Sequence, residues 1–201
     1  MTANMHIIIS DQIKSSIEVK FAVMGDSQII SQIEELAKTC ISALKSGGKI
    51  IFAGNGGSFA DAQHLSAELT SRFLFDRPPL ASIALGTNNS SITAVGNDYG
   101  YDKIFSRELA ANAKQEDVFI PISTSGNSPN IIHAITTAKK IGIPIIALTG
   151  QGGGEIKTMC ECICIPSMNT ARIQECHILI GHILCGIIEN DMFTKNKANE
   201  I

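Results

Sequence analysis

The sequence predicts an α/β fold: a three-layer αβα sandwich around a parallel sheet of roughly five strands in the doubly wound, flavodoxin-like order, preceded by an N-terminal helical hairpin. Three observations carry this. Short, nearly continuous apolar runs alternate with helix-periodic stretches, as in strands buried on both faces. Two of those runs feed into glycine- or hydroxyl-rich turns that open helices, at Asn55–Ser58 and Ser123–Ser128. Two amphipathic stretches precede the first apolar run and form a hairpin of their own.

Taken in order, residues 9–24 place Ile9, Ile13, Ile17 and Phe21 at fourfold spacing, one stripe of an amphipathic helix, with His6 to Ile9 as its lead-in. Gly25-Asp26-Ser27 breaks it. A second helix over about 28–45 carries Ile29, Ile33, Leu36, Ala37, Cys40, Ile41 and Leu44 on its apolar side and closes at Gly47-Gly48. Such a hairpin finishes a core or packs against a partner subunit. Strands are predicted at 49–54, 80–85, 118–122, 144–149 and 161–166, and helices at 59–73, 130–141 and 171–193. Residues 88–114 read as helix and loop, broken at Gly96-Asn97-Asp98 and Gly100, and the polar tail from Thr194 to Ile201 as frayed. With no internal repeat or linker, residues 1–201 form one domain, with the hairpin over about 9–46 and the core over about 49–193.

Composition narrows the function classes. The net charge is -3, with acids and bases interleaved, and no basic block or aromatic-basic stripe points to nucleic acid. No apolar run approaches a membrane span, and the N-terminus carries Asp11 and Glu18 but no basic n-region. Six cysteines without a secretion signal read as the reduced thiols of a cytoplasmic protein. Cys160, Cys162 and Cys164 alternate, as small buried residues of a strand do; a metal site would want a turn between the thiols.

The turn Ser123-Thr124-Ser125-Gly126-Asn127-Ser128-Pro129 follows a strand and precedes a helix. Ser128 suits the N-cap and Pro129 the first helical position. Four hydroxyls, a glycine and a helix N-terminus make a cradle for a phosphate dianion held by amides and hydroxyls, with no lysine or arginine in the turn; the alternative is an ordinary capped turn. The loop Asn55-Gly56-Gly57-Ser58 also joins a strand to a helix, with Ser58 as N-cap and Asp61 completing a capping box. It fails as a dinucleotide motif, because Phe59 stands where the third glycine belongs, and no Walker lysine follows any strand. His64 and Glu68, four apart, share a helix face and suit acid–base work, metal ligation or a plain surface pair. In the last helix Gln174, Ile178 and His182 share a face, as do His177, Gly181 and Cys185; His182 is either a core residue or a site residue. Gln174 and His182 lie about 12 Å apart along the axis, so a single small ligand for both needs an oblique helix.

Gly54-Asn55-Gly56-Gly57-Ser58, Ser123-Thr124-Ser125-Gly126-Asn127-Ser128 and Arg172-Ile173-Gln174-Glu175 resemble the sugar isomerase (SIS) domain family, and within it the phosphoheptose isomerases. The resemblance extends over about residues 10–190 and includes Val95-Gly96-Asn97-Asp98 and Ile104-Phe105-Ser106-Arg107. It implies conversion of sedoheptulose 7-phosphate to D-glycero-D-manno-heptose 7-phosphate through an enediol, on a SIS fold, for the heptose of lipopolysaccharide or capsule. Ser123, Thr124, Ser125 and Ser128 would hold the phosphate. Asn55, Gly56, Gly57, Asn97, Asp98, Glu68 and Gln174 would contact the substrate, with Glu68 the base and His182 its acid–base partner. His64, Glu68, Gln174 and His182 would surround one zinc ion per site. The resemblance further implies a homotetramer with sites at subunit contacts. Ala171 departs from the family's aspartate just before Arg-Ile-Gln-Glu. Two other readings remain: a non-catalytic SIS protein that binds a sugar phosphate or a replication-initiator partner, and an isomerase of another sugar phosphate such as arabinose 5-phosphate.

Overall fold

The structure, a computed structural model, describes residues 2–194, and the tail expected to fray lies, past Thr194, outside the described residues. Helices α1 (Thr2–Gly25) and α2 (Ser27–Lys45) come first, divided at Asp26, whose carboxylate accepts from the Gln28 and Ile29 amides as the N-cap of α2. The core follows as β1 (Ile50–Gly54), α3 (Gly57–Thr70), β2 (Ser82–Ala84), α4 (Asn89–Tyr99), a 3-10 turn at Tyr101–Lys103 and α5 (Ile104–Asn112). Then come β3 (Val118–Ser123), α6 (Pro129–Ile141), β4 (Ile146–Thr149), a 3-10 turn at Glu155–Thr158, β5 (Glu161–Cys164) and α7 (Thr170–Phe193). All five strands are parallel, in the order β2-β1-β3-β4-β5. That is the flavodoxin-like order, and it places the switch point between β1 and β3.

Strand alternation divides the core into two layers. Ile50 and Phe52 pack toward α1, α2, α3 and α7, whereas Ile51 and Ala53 pack toward α5 and α6. Burial on both faces is what made the strands read as continuous apolar runs. By length and composition α7 could cross a bilayer, with a mean hydropathy of 1.3, against the expectation that no segment reaches that size. Here it is a core helix, packed on α1, α2 and α3.

The stripe Ile9, Ile13, Ile17 and Phe21 is 47–61% exposed, so of the two roles open to the hairpin it does not finish this chain's core; α1 turns the half-buried Ser16 and Val19 and the buried Val23 inward. Four expectations need correction. Helix α3 starts at Gly57 with Gly56 as its N-cap, so Ser58 lies inside the first turn and forms no capping box with Asp61. It stops at Thr70 rather than Phe73, because the Phe73 and Leu74 amides donate to the Glu189 carboxylate instead of continuing the helix. Helix α4 runs through Gly96-Asn97-Asp98 and ends at Gly100; one glycine costs a helix only about 1 kcal/mol, too little to break it. The edge strand β2 is shorter than predicted because the Leu80 amide donates to Leu69 O at the end of α3 rather than to the sheet.

His177 is the core histidine of α7. It is fully buried, and its Nε2–H donates to Thr149 O at 3.1 Å, tying α7 to the end of β4. Nδ1 is buried without a partner, so charging the ring would add a proton that nothing accepts. Burial, only partly offset by the Thr149 carbonyl, lowers its pKa from 6.5 to about 4. Between those values the unfolded chain binds the extra proton and the folded chain does not, so stability is lost as pH falls from 6.5 toward 4. The gap corresponds to about 3 kcal/mol. Thermal unfolding from pH 7 to pH 4 should show that loss, and His177→Gln should flatten it.

Candidate active site

Helix α7 lies alongside α3, running in the same direction. Contacts climb both helices together. A Cβ built on Gly57 would meet the Gln174 amide at 2.5 Å, one on Gly181 would meet the Leu65 side chain at 2.4 Å, and one on Gly186 would reach Phe73 at 3.6 Å. At Gly181 a side chain would take the space of Leu65, whereas at Gly57 it would displace only the terminal amide of Gln174.

That packing gathers three of the predicted groups. His64 Nε2 lies 3.2 Å from Glu68 Oε1 and 2.9 Å from His182 Nε2. The three ligand atoms fall within 4.8 Å of one another, the one group of histidine, cysteine and acidic side chains with such geometry among the described residues. The two imidazole rings meet edge to face at 5.0 Å, and Phe73 stacks on the other side of His182 at 5.5 Å, with planes 17° apart. His64 is exposed and Glu68 and His182 half-buried, so the centre opens to solvent. Of the two readings open for His182, its half-buried place in this cluster fits a candidate site residue, and the core histidine is His177.

Tetrahedral zinc with bonds near 2.0 Å spaces its ligands about 3.3 Å apart. Two imidazole nitrogens and a carboxylate oxygen separated by 2.9 and 3.2 Å suit that donor set. Gln174, two turns earlier on α7, lies against Gly57 at the other end of α3, beside the Asn-Gly-Gly loop. Its expected place among metal ligands is not visible in these contacts.

The loop after β1 is braced by side chains. Asn55 and Asn130 exchange reciprocal amide hydrogen bonds of 2.8 Å, linking the β1 loop to the first turn of α6. The Tyr101 hydroxyl donates to Asn55 Oδ1 at 3.1 Å. Asn97 and Asp98, expected at the substrate, are exposed on the last turn of α4 and bond to each other; from that segment it is Tyr101 that touches the loop. Asn130, Tyr101 and Phe73 are the contributors that motif reading missed. Only Tyr101, an aromatic after a glycine in a loop, left any local trace.

The hydroxyl turn occupies the carboxyl end of β3, next to β1, and opens α6 with Pro129 at the first position. Ser128 stands at the N-cap, but its Oγ pairs with Ser123 Oγ at 3.0 Å rather than capping an amide. Ser123 is buried, Thr124 and Ser128 half-buried and Ser125 exposed, so the hydroxyls step from the sheet to solvent. A second loop holds the turn from behind. Asn127 Oδ1 accepts from the Glu155 amide at 2.9 Å, and a Cβ on Gly126, with φ of +66°, would lie 2.0 Å from Gly153 O. A cavity of 260 Å³ opens beside it, lined by Thr124, Ser125, Asn127, Gln151, Ser167 and Met168 among others. A cavity of 490 Å³ lies at the opposite end of the sheet near Asp117 and Pro144 and contains no predicted site residue.

Asp61, one turn before His64, is half-buried with an unpartnered Oδ2; burial pushes its carboxyl up and His64 pulls it partway back. Ala171 is exposed, and its amide donates to Asn169, the N-cap of α7.

The SIS domain model matches residues 23–150 of this chain. The chain belongs to the SIS domain family. Its relatives at this level of similarity are phosphoheptose isomerases. That of Sulfurimonas denitrificans is 52% identical over 186 residues, 92% of this chain and 95% of its own. That of Aneurinibacillus thermoaerophilus is 51% identical, over 96% of this chain and 98% of its own. Among solved structures, the phosphoheptose isomerase of Neisseria gonorrhoeae superposes with a TM-score of 0.87 at 38% identity, covering 92% of this chain and 99% of that one. The SIS fold predicted from the motifs is the fold observed.

Proposed function

We propose that this SIS-domain chain is a phosphoheptose isomerase, an aldose–ketose isomerase that converts sedoheptulose 7-phosphate to D-glycero-D-manno-heptose 7-phosphate. One observation carries the reading: His64, Glu68 and His182 meet within 4.8 Å, on the two helices that flank the β1 loop. An open-chain sugar phosphate has a charged end and a reactive end, and the site offers one region for each. The phosphate lies at Ser123, Thr124, Ser125 and Ser128, where hydroxyls and the α6 N-terminus receive a dianion without a basic side chain. Asn55, braced by Asn130 and Tyr101, and the adjoining glycines hold the chain of hydroxyls between the two ends.

At the reactive end, Glu68 removes a proton from C1 of the ketose while His182 donates one to the C2 oxygen, giving the enediol. His182 then takes the O1 proton, and Glu68 returns its proton to C2, leaving the aldehyde at C1. Every proton moved is returned, so the step is an isomerisation with no external redox partner. His64, within reach of both, holds the carboxylate and the second imidazole in place. The donor set fits zinc, one ion per site, held by His64, Glu68 and His182, while Gln174 lies two turns away against Gly57. Bound there, zinc would act as a Lewis acid toward the substrate oxygens.

The assembly proposed is a homotetramer. Ile9, Ile13, Ile17, Phe21 and Met24 are 47–65% exposed along α1, and Leu179, Ile183 and Ile187 are 37–43% exposed on α7, against which α1 packs. Apolar surface this continuous is suited to a second copy of the chain. Leu179, one turn before His182, neighbours it on the helix surface, so a partner seated on this stripe would close the open side of the centre. Six free thiols suit the cytoplasm, where a heptose precursor of lipopolysaccharide or capsule would be made.

Three measurements test this reading. Glu68→Gln should lower turnover of sedoheptulose 7-phosphate by about 10²–10⁴-fold while leaving phosphate binding intact; near-normal turnover would sink the assignment. Chelation should remove stoichiometric zinc and activity together, both returning on zinc add-back but not in His64→Gln. Light scattering should give four chains per particle, and Ile13→Asp with Phe21→Asp should dissociate it.

A further inference from the structure

Beneath the reaction centre a guanidinium and a carboxylate are locked together. Arg77, in the loop between α3 and β2, has a side chain 2% exposed, and Glu189, near the end of α7, is fully buried; Nε and Oε1 are 3.0 Å apart. The bonds of the pair reach well past each other. Arg77 Nη1 donates to Leu69 O at 2.7 Å and to Ser71 O and Pro78 O at 3.1 Å, and Nη2 donates to Glu68 O at 2.8 Å. The Glu189 carboxylate also accepts from the Phe73 amide at 3.0 Å and the Leu74 amide at 2.7 Å. Burial alone would push the Glu189 carboxyl up, but those amides and Arg77 outweigh it and hold the carboxyl below its ordinary range, so the pair is ionised.

The last carbonyls of a helix have no partner within it. In α3, Ser71 N satisfies Ala67 O, and Arg77 takes Glu68 O and Leu69 O. The main-chain atom Arg77 grips with Nη2 therefore belongs to the proposed base. At the other end of the pair, Glu189 follows His182 by two turns on one face of α7, and it binds the amide of Phe73, whose ring stacks on His182. One ion pair thus touches the backbone of Glu68 and the neighbour of His182. Stability alone is a weak reason for such a pair, since buried ion pairs are often replaced by apolar groups at no loss.

We propose that Arg77 and Glu189 are positioning residues for the isomerisation, clamping the last turn of α3 to α7 so that Glu68 and His182 meet, with Phe73 carrying the constraint to the imidazole. This rests on the reading of Glu68 and His182 as the acid–base pair. Lysine keeps the charge but offers three donors from a point, and cannot serve a carboxylate and two helix carbonyls in one plane. Misplacing a reacting group by about 1 Å costs on the order of 10²-fold in rate.

The test is Arg77→Lys, with Phe73→Leu as the milder variant that keeps the main-chain amide on Glu189. Turnover and the imidazole carbon resonances are measured well below each variant's melting temperature. The kcat should fall roughly 10- to 100-fold with KM within about threefold, since the phosphate turn is remote from the clamp. The His182 resonance, assigned by its loss in His182→Gln, should move while that of His133 on α6 stays. If Arg77→Lys does not fold, Phe73→Leu decides by its kcat alone, because losing the stacked ring shifts the His182 resonance directly. A lowered melting temperature with kcat per folded molecule and the His182 resonance unchanged would overturn the clamp. The resonance is read without substrate, so a wild-type protein inactive on the heptose phosphate refutes the functional reading, while an unmoved resonance refutes the positioning role.

Discussion

The side-by-side packing of α3 and α7 is the constraint on which the site depends. A carboxylate and an imidazole on one helix can share a face, but a second imidazole must come from elsewhere, and here it arrives only because two helices run parallel at short range. Gly181 sets that range, since any side chain there would occupy the space of Leu65. At the loop end Gly57 lets Gln174 lie against the start of α3, and at the far end Phe73 fills the space between α3 and His182. The chemistry of the pocket is thus a consequence of which residues are absent as much as of which are present. The Arg77–Glu189 pair closes the same helix pair at its lower end, where α3 would otherwise fray.

The proposed phosphate region is built on a different principle. Its charge complement is dispersed over hydroxyls and a helix end, with no lysine or arginine in the turn, and a chain of net charge -3 offers little long-range attraction to an anion. Affinity must then come from geometry. The turn is fixed on two sides: Asn130 ties the first turn of α6 to Asn55, and the loop at 153–155 fills the space behind Gly126 and binds Asn127. A turn held this way loses little freedom when the ligand arrives, which is how amides and hydroxyls match a charged side chain.

The sequence revealed what neighbours along the chain decide. The parallel sheet, the order of elements, Pro129 opening α6 and the hydroxyl turn at the end of β3 all follow from local patterns a few residues long. What it concealed are contacts between residues far apart. Arg77 and Glu189 are 112 residues apart, and no local pattern marks either as buried. Leu80 looked like strand because its apolar neighbours permit strand, yet its amide is claimed by the end of α3. Even within one turn the partner was not legible: Ser128 looked like a capping hydroxyl, but Ser123, five residues earlier, takes it. The α1 stripe is the instructive case: the periodicity correctly announced a helix with one apolar face, but a period cannot say what covers that face. Among the described residues nothing does, and the face α1 turns inward is a different one. The His64 and Glu68 pair was visible as a spacing, whereas its meeting with His182 required the helix packing.

Helix α7 shows how one element can serve core, site and surface at once. His177, one turn before Gly181, is sealed in the core as a neutral base bonded to Thr149, a state that burial enforces. His182, five residues on, faces the open centre and meets His64, so the same side chain type keeps a nitrogen available for chemistry. Glu189 is sealed again, but as an anion, because Arg77 and two amides arrive where its charge needs them. Between them Leu179, Ile183 and Ile187 face outward, left for another surface. The apolar character that gives this helix the composition of a membrane span comes from a buried face against α1, α2 and α3 together with an exposed apolar stripe, the one proposed to meet a second copy. Of its polar residues, His177, His182 and Glu189 each meet partners from another element that match the state they hold.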